Sequence, residues 1–381
     1  MAEPFKNLIN DDVVRQAGHH LQRVWHDFDR TRFEALSMDG LQALEFKDRA
    51  RHLGRAMDAT LPDDFHQAAD VLQAALKPVP TSSIDPDKEL GLLKTDEHGL
   101  AGWVLWPVGE FVTQRGMAHP ERALQLLHAV TQRFTAEFAI RPFIVAHPEL
   151  CFATLAQWVH DPSAHVRRLV SEGSRPRLPW GLRLQSLVAD PSPTLPLLLA
   201  LQDDPTEYVR RSVANHLNDI AKDHPHVVSN WLHAHLPDAP KNRHRLLRHA
   251  SRSLIKQGHG PTLQAWGLAE PQLRGIELQL SSQQVAVGGA LQLRLSLQSS
   301  AHHAQTLEID YRVHHLKANG TLSPKTFKGT RVQLQPGQAL NWKKSHSLKV
   351  ITTRAYHPGP HLVDIQVNGT VVAQAGFVLT A

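Results

Sequence analysis

Two hydrophobic periods divide the chain. In the first part apolar residues recur at helical spacing, as in Leu41, Leu44 and Phe46 and again in Phe65, Ala68, Ala69, Val71, Leu72, Ala75 and Leu76. The run Pro78-Val79-Pro80-Thr81-Ser82-Ser83 predicts a loop after them. From Pro271 onward the period falls to two. Ile276, Leu278 and Leu280 alternate with polar residues, as do Leu291 to Leu297, Leu307 to Val313 and Val363 to Val367. Asn319-Gly320 and Asn368-Gly369 stand where tight hairpin turns belong. About seven short strands are expected, an antiparallel sandwich of immunoglobulin type without the buried disulfide. The expected division is residues 1–268, helical, and residues 269–381, β, with the boundary in the Gly- and Pro-containing run that starts at Gly258.

The helical part repeats itself. Asp161-Pro-Ser-Ala-His-Val-Arg-Arg-Leu-Val and Asp204-Pro-Thr-Glu-Tyr-Val-Arg-Arg-Ser-Val lie in register, and a weaker copy runs from Leu246 to Leu254. His-Pro opens helices at His119, His147 and His224. A helical period in the low forties is expected of HEAT-like pairs stacked into an α-solenoid, whose equivalent positions line one concave surface. In the first copy Asp161-Pro162 reads as a helix start and Gly173 as its end. Arg168, Glu172 and Arg175 then share a face, followed by the basic, proline-stiffened Arg175-Pro-Arg177-Leu-Pro-Trp180.

Charge sharpens this division. The net charge is +5, yet residues 271–381 hold eleven Lys and Arg against four acids. A basic end on a near-neutral body suggests a polyanion partner. The single cysteine, Cys151, excludes an intrachain disulfide and fits a reducing cytosol. The N-terminus carries no signal-peptide pattern, and no apolar run is long enough to span a membrane.

Familiar catalytic signatures are missing: there is no Walker loop, dinucleotide-binding glycine run, nucleophile elbow or zinc-protease motif. The pairs His19-His20, His302-His303 and His314-His315 put adjacent side chains on opposite sides, which disfavours metal ligation. Two glutamates remain. Glu137 precedes Arg141 by four residues, in a helix that Pro142 should end or kink, and Glu172 follows Arg168 by four. An ion pair on an exposed helix accounts for such spacing at about 0.3–0.5 kcal/mol. The repeat weakens that reading, because the counterparts of Glu172 are Asn215 and Arg252. An acid present in one copy only works against phosphate binding and requires a local gain. Trp180, beside it, could present its face to a cation or a base, whereas Trp103, Trp106, Trp158 and Trp231 read as core.

In EFAIRPF, from Glu137 to Phe143, and VRRLVSEGSRPRLPWG, from Val166 to Gly181, the chain resembles the AlkC-type DNA alkylation repair proteins, HEAT-like-repeat DNA glycosylases. The resemblance implies release of cationic N-alkylated bases, such as 3-methyladenine and 3-methylcytosine, from duplex DNA by a monofunctional enzyme with no cofactor or metal. It maps the catalytic positions onto Glu137, Glu172 and Trp180. Arg141, Arg168, Arg175, Arg177, Arg211 and Arg248 are expected to contact DNA, with Lys325 and Lys328 around turns of a β domain that clamps the duplex. A monomer acting in a bacterial cytoplasm, on the nucleoid, is expected. The physics suits the chemistry. A base alkylated on a ring nitrogen leaves without a general acid, so the enzyme must stabilise a positive sugar and position water. The competing readings are a non-catalytic HEAT-type module that binds DNA or protein, and a metal-dependent hydrolase that EDTA would inhibit.

Overall fold

The computed structural model describes residues 4–79, 93–351 and 354–381, so residues 80–83 of the expected loop lie outside the described residues. Two compact units emerge: Met1–Asp223 with Pro240–Ala250, and His224–Ala239 with Ser251–Ala381. No helix among the described residues is long and apolar enough to cross a membrane.

The first unit is helical. Its early helices are capped by side chains: Asn10 accepts from Val13 N, Asp29 from Arg32 N and Asp64 from Gln67 N, each satisfying a backbone donor that helix geometry leaves orphaned. Pro120 and Pro148 open the helices Pro120–Thr131 and Pro148–Trp158 at the first helical position, and in the second unit Pro225 opens Pro225–His235.

The repeat is visible in hydrogen bonds. Asp161 Oδ1 accepts from Ser163 N at 2.7 Å, and Asp204 Oδ1 accepts from Thr206 N at 2.8 Å. Each aspartate therefore closes a turn just before the helices Ala164–Gly173 and Glu207–Ile220, which begin later than the Asp-Pro signal suggested. The first arginine of each Val-Arg-Arg folds back to its own aspartate: Arg167 donates to Asp161 O, and Arg210 to Asp204 O. Arg167 also grips the Asp204 carboxylate at 2.6 and 3.2 Å, which ties one copy to the next. The weaker third copy is no single helix, because Lys241–Ala250 stops and Arg252–Gln257 starts anew. Gly173 does end its helix, for a reason of packing: a Cβ there would come within 2.7 Å of Ile140 Cγ2.

In the second unit the helices Pro225–His235, Arg252–Gln257 and Gly260–Ala265 precede eight strands: β1 Leu273–Leu280, β2 Gln284–Ala286, β3 Ala290–Ser299, β4 Gln305–Leu316, β5 Leu322–Leu334, β6 Ala339–Ser347, β7 Gly359–Val367 and β8 Thr370–Thr380. They form a three-stranded sheet, β1-β3-β6, and a five-stranded sheet, β2-β8-β7-β4-β5. The expected alternation builds the core, with Leu291, Leu293, Leu295 and Leu297 packed among Leu307, Ile309, Tyr311, Val313, Val363, Ile365 and Val367. Asn368 and Gly369 form the two-residue turn between β7 and β8 with φ of 47° and 78°, the left-handed pair a type I′ turn demands. Strand β2, three residues long and parallel to β8, was not legible in the sequence. Lys325, Lys328 and Arg331 lie within β5, an edge strand, and not around turns; only Lys317 sits at the hairpin.

Candidate active site

The two glutamates meet on one arginine. Glu137 occupies a turn, and the following helix, Ile140–Ala146, takes Pro142 into its first turn, so the proline starts this helix rather than breaking it. The i,i+4 pairing of Glu137 with Arg141 does not form. Glu137 Oε2 instead accepts from Arg168 Nη1 and from Thr135 Oγ1, both at 2.7 Å. Arg168 Nη2 lies 3.8 Å from Glu172 Oε1, and its guanidinium sits 5.3 Å from the centre of the Tyr208 ring. Burial opposes the charge on Arg168, but Glu137, Tyr208 and Glu172 outweigh it and hold its pKa above the ordinary arginine value.

Glu172 is committed on both oxygens. Oε1 accepts from Arg175 Nη1 and Oε2 from Ser212 Oγ, each at 2.6 Å. Burial alone would raise its pKa, yet Arg168, Arg175 and the Ser212 hydroxyl reverse the sign and hold it below the usual glutamate value. Arg175 donates onward to Asp219 Oδ2 at 2.8 Å, and Asp219 Oδ1 accepts from Lys222 Nζ at 2.8 Å. The result is a chain of alternating charge: Lys222, Asp219, Arg175, Glu172, Arg168, Glu137. Glu137 is its terminal acid. Its hydrogen bonds all fall on Oε2, and among the described residues Oε1 accepts none. A neutralised ladder ending in one uncommitted carboxylate oxygen can place negative charge against a reacting group without presenting net charge elsewhere.

Several expected DNA contacts are otherwise engaged. Arg141 is fully buried; its Nε donates to Leu182 O at 2.5 Å and Nη1 to Gly173 O at 2.8 Å, so it fastens the loop after the helix and cannot reach a phosphate. Burial first, then the like charge of Arg175, push its pKa down to about 10. Arg175 is 8% exposed and locked between two carboxylates. Arg177 makes a bidentate pair with Asp223 at 2.6 Å on both arms, and Arg168 belongs to the glutamates. Arg248 is half-buried. Arg211 is exposed, and it lines a cleft of about 160 Å³ with Arg210, Arg245 and His249. Lys325 and Lys328 are exposed on β5.

Trp180 is 84% exposed, with φ of 63°. Gly181 N donates to Leu178 O, so Leu178-Pro179-Trp180-Gly181 is a turn with proline second and positive φ third. That is the pattern of a type II turn, whose third position favours glycine. A bulky residue there is strained by about 1–3 kcal/mol. Neither burial nor turn geometry explains the indole.

The sequence did not point to Tyr208, Ser212 or Asp219. Ser212 carried a signal, since it replaces Leu169 of the preceding copy in register. Trp103, Trp106 and Trp158, expected in the core, are only half-buried, whereas Trp231 is buried. Among the described residues no group of three or more His, Cys, Asp or Glu is placed to hold a metal ion.

Residues 275–381 match the family described as the C-terminal Ig-like domain of the uncharacterised protein YhaZ. The uncharacterised protein YhaZ of Bacillus subtilis (strain 168) is 33% identical over 380 residues, 98% of each chain. The structure of Pseudomonas fluorescens alkylpurine DNA glycosylase AlkC, bound to DNA containing an abasic site analog, is similar with a TM-score of 0.88 at 31% identity, covering both chains in full. The chain belongs to the family of AlkC-type DNA alkylation repair proteins.

Proposed function

We propose that this protein is a DNA glycosylase that hydrolyses the N-glycosidic bond of cationic N-alkylated bases, 3-methyladenine and 3-methylcytosine among them, in duplex DNA. The observation that carries the reading is the unbonded Oε1 of Glu137 at the end of the charge ladder. The C1′–N bond breaks with its electron pair moving to the base, which leaves neutral and needs no proton. Positive charge develops on the deoxyribose, opposite Glu137. Water adds to C1′, and its proton passes to Glu137 Oε1 and on to solvent. Glu172 holds Arg168 and Arg175 so that Glu137 is aimed, and the Trp180 indole lies against the sugar or the cationic base.

The reaction is monofunctional, since water and not an amine of the protein adds to C1′. Arg211, Lys325 and Lys328 are the exposed cations best suited to phosphates. The test is direct: incubate the protein with methylated duplex and measure free 3-methyladenine. Release that is absent from the wild-type protein, with duplex binding intact, leaves a DNA-binding module and ends the enzyme reading.

A further inference from the structure

An arginine paired with a glutamate often takes both carboxylate oxygens, one on each arm of its fork. Arg168 and Glu137 do otherwise. Arg168 Nη1 donates to Glu137 Oε2 at 2.7 Å, while Nη2 turns away and lies 3.8 Å from Glu172 Oε1. Thr135, in the connection between the helices Pro120–Thr131 and Ile140–Ala146, completes the arrangement. Its Oγ1 donates to Glu137 Oε2 at 2.7 Å and accepts from Arg168 Nη1 at 3.2 Å and from Glu137 N at 3.4 Å. Threonine, arginine and glutamate thus close a triangle with Oε2 at one corner. Glu137 is 9% exposed, so its carboxylate has little solvent to turn into, and among the described residues Oε1 accepts no hydrogen bond.

A hydroxyl has one proton and two lone pairs. Here both lone pairs face N–H donors, so the proton is committed to Oε2. Without that proton Oε2 loses a donor, and the carboxylate gains by rotating until Arg168 spans both oxygens, which would cover Oε1. We propose that Thr135 is a positioning residue for Glu137: its hydroxyl holds Oε2 in a one-oxygen pair with Arg168 and so leaves Oε1 open to positive charge on the sugar ring. The inference rests on the reading that Glu137 faces the sugar, and it adds the residue that decides which carboxylate oxygen does so. Thr135 acts through Glu137 alone.

The test uses the full chain with Thr135→Val, which keeps the side-chain shape and removes the hydroxyl, and Thr135→Ser, which keeps the hydroxyl. At saturating protein, single-turnover release of 3-methyladenine from methylated duplex should fall about a hundredfold in Thr135→Val with half-saturation unchanged. In Thr135→Ser it should return to near the wild-type rate. A second measurement needs no turnover. Binding is compared for two duplexes, one with a pyrrolidine in place of a deoxyribose, cationic at its ring nitrogen, and one with a neutral tetrahydrofuran. The wild type and Thr135→Ser should favour the cationic duplex, and Thr135→Val should lose that preference. A purely structural role would lower the melting temperature of Thr135→Val and leave its saturating rate and cation preference at wild-type levels, which overturns the proposal. A Thr135→Ser as defective as Thr135→Val overturns it too. Thr135→Ala replaces the valine variant if the latter does not fold. Wild-type release that Thr135→Val matches removes the role of Thr135 and leaves the glycosylase. A cation preference that depends on the hydroxyl, with no release by any of these proteins, removes the glycosylase and leaves Thr135. Neither release nor preference in the wild type ends both.

Discussion

Glu137 and Glu172 should separate cleanly when each is changed to glutamine. Glu137 loses a charge whose Oε1 faces no protein partner, and glutamine keeps a carbonyl oxygen for Arg168 Nη1. At roughly 4 Å from a developing sugar cation and an effective dielectric near 20, that charge is worth about 4 kcal/mol, or near a thousandfold in rate. Folding should change by less than about 1 kcal/mol, because Arg168 keeps Glu172 and the Tyr208 ring. Glu172→Gln differs. It removes the charge shared by Arg168 and Arg175 at a position 6% exposed, which should cost about 3 kcal/mol or more in stability. Its rate should fall as well, through a misaimed Glu137. Single-turnover release of 3-methyladenine, paired with urea unfolding of the same samples, reads both quantities. Release by Glu137→Gln within tenfold of wild type refutes the catalytic assignment. A stable Glu172→Gln with the larger rate defect would show that the two roles are exchanged.

Trp180→Gly should abolish most base release yet raise stability by ~1 kcal/mol, since glycine relaxes the positive φ and little indole surface is buried; urea unfolding checks the sign. Arg141→Met should lower stability by about 2 kcal/mol by orphaning the carbonyls of Leu182 and Gly173, with no change in the salt slope of DNA binding. Arg211→Gln, by contrast, should reduce that slope by about one. Acid should weaken the helical unit early. Burial pushes His165 and His216 down to about 4, so the unfolded chain binds more protons between pH 4 and 6.5. Stability is fully present above about 6.5 and is lost as pH falls toward 4, at about 1.4 kcal/mol per pH unit for each histidine. A flat urea midpoint across that range would contradict the burial argument.

Much of this site was written in the repeat. An acid confined to one copy, at Glu172, and a tryptophan after two prolines drew attention to the charge ladder and to the exposed turn, and alternation at period two gave the β core. What misled was charge. Four arginines, Arg141 ahead of the first copy and Arg168, Arg175 and Arg177 in it or just after it, read as phosphate ligands, and all four bond carboxylates or carbonyls. A sequence states that a charge exists, while its neutralisation depends on what the neighbouring helix carries. In a repeat protein that dependence has its own spacing. Arg167 with Asp204, Glu172 with Ser212, Arg175 with Asp219 and Arg177 with Asp223 are 37, 40, 44 and 46 residues apart, close to one repeat. Searching each cation for an acid one period downstream would have exposed three of these pairs. Arg211 is the exposed arginine of its Val-Arg-Arg. The two copies thus differ: the first turns its arginines inward to build the charge ladder that ends at Glu137, and the second keeps Arg210 on Asp204 O and places Arg211 at the cleft with Arg245 and His249. Chemistry and phosphate binding can then be tuned one repeat apart, so exchanging Arg211 for glutamine should weaken the hold on DNA without touching the intrinsic rate of bond cleavage.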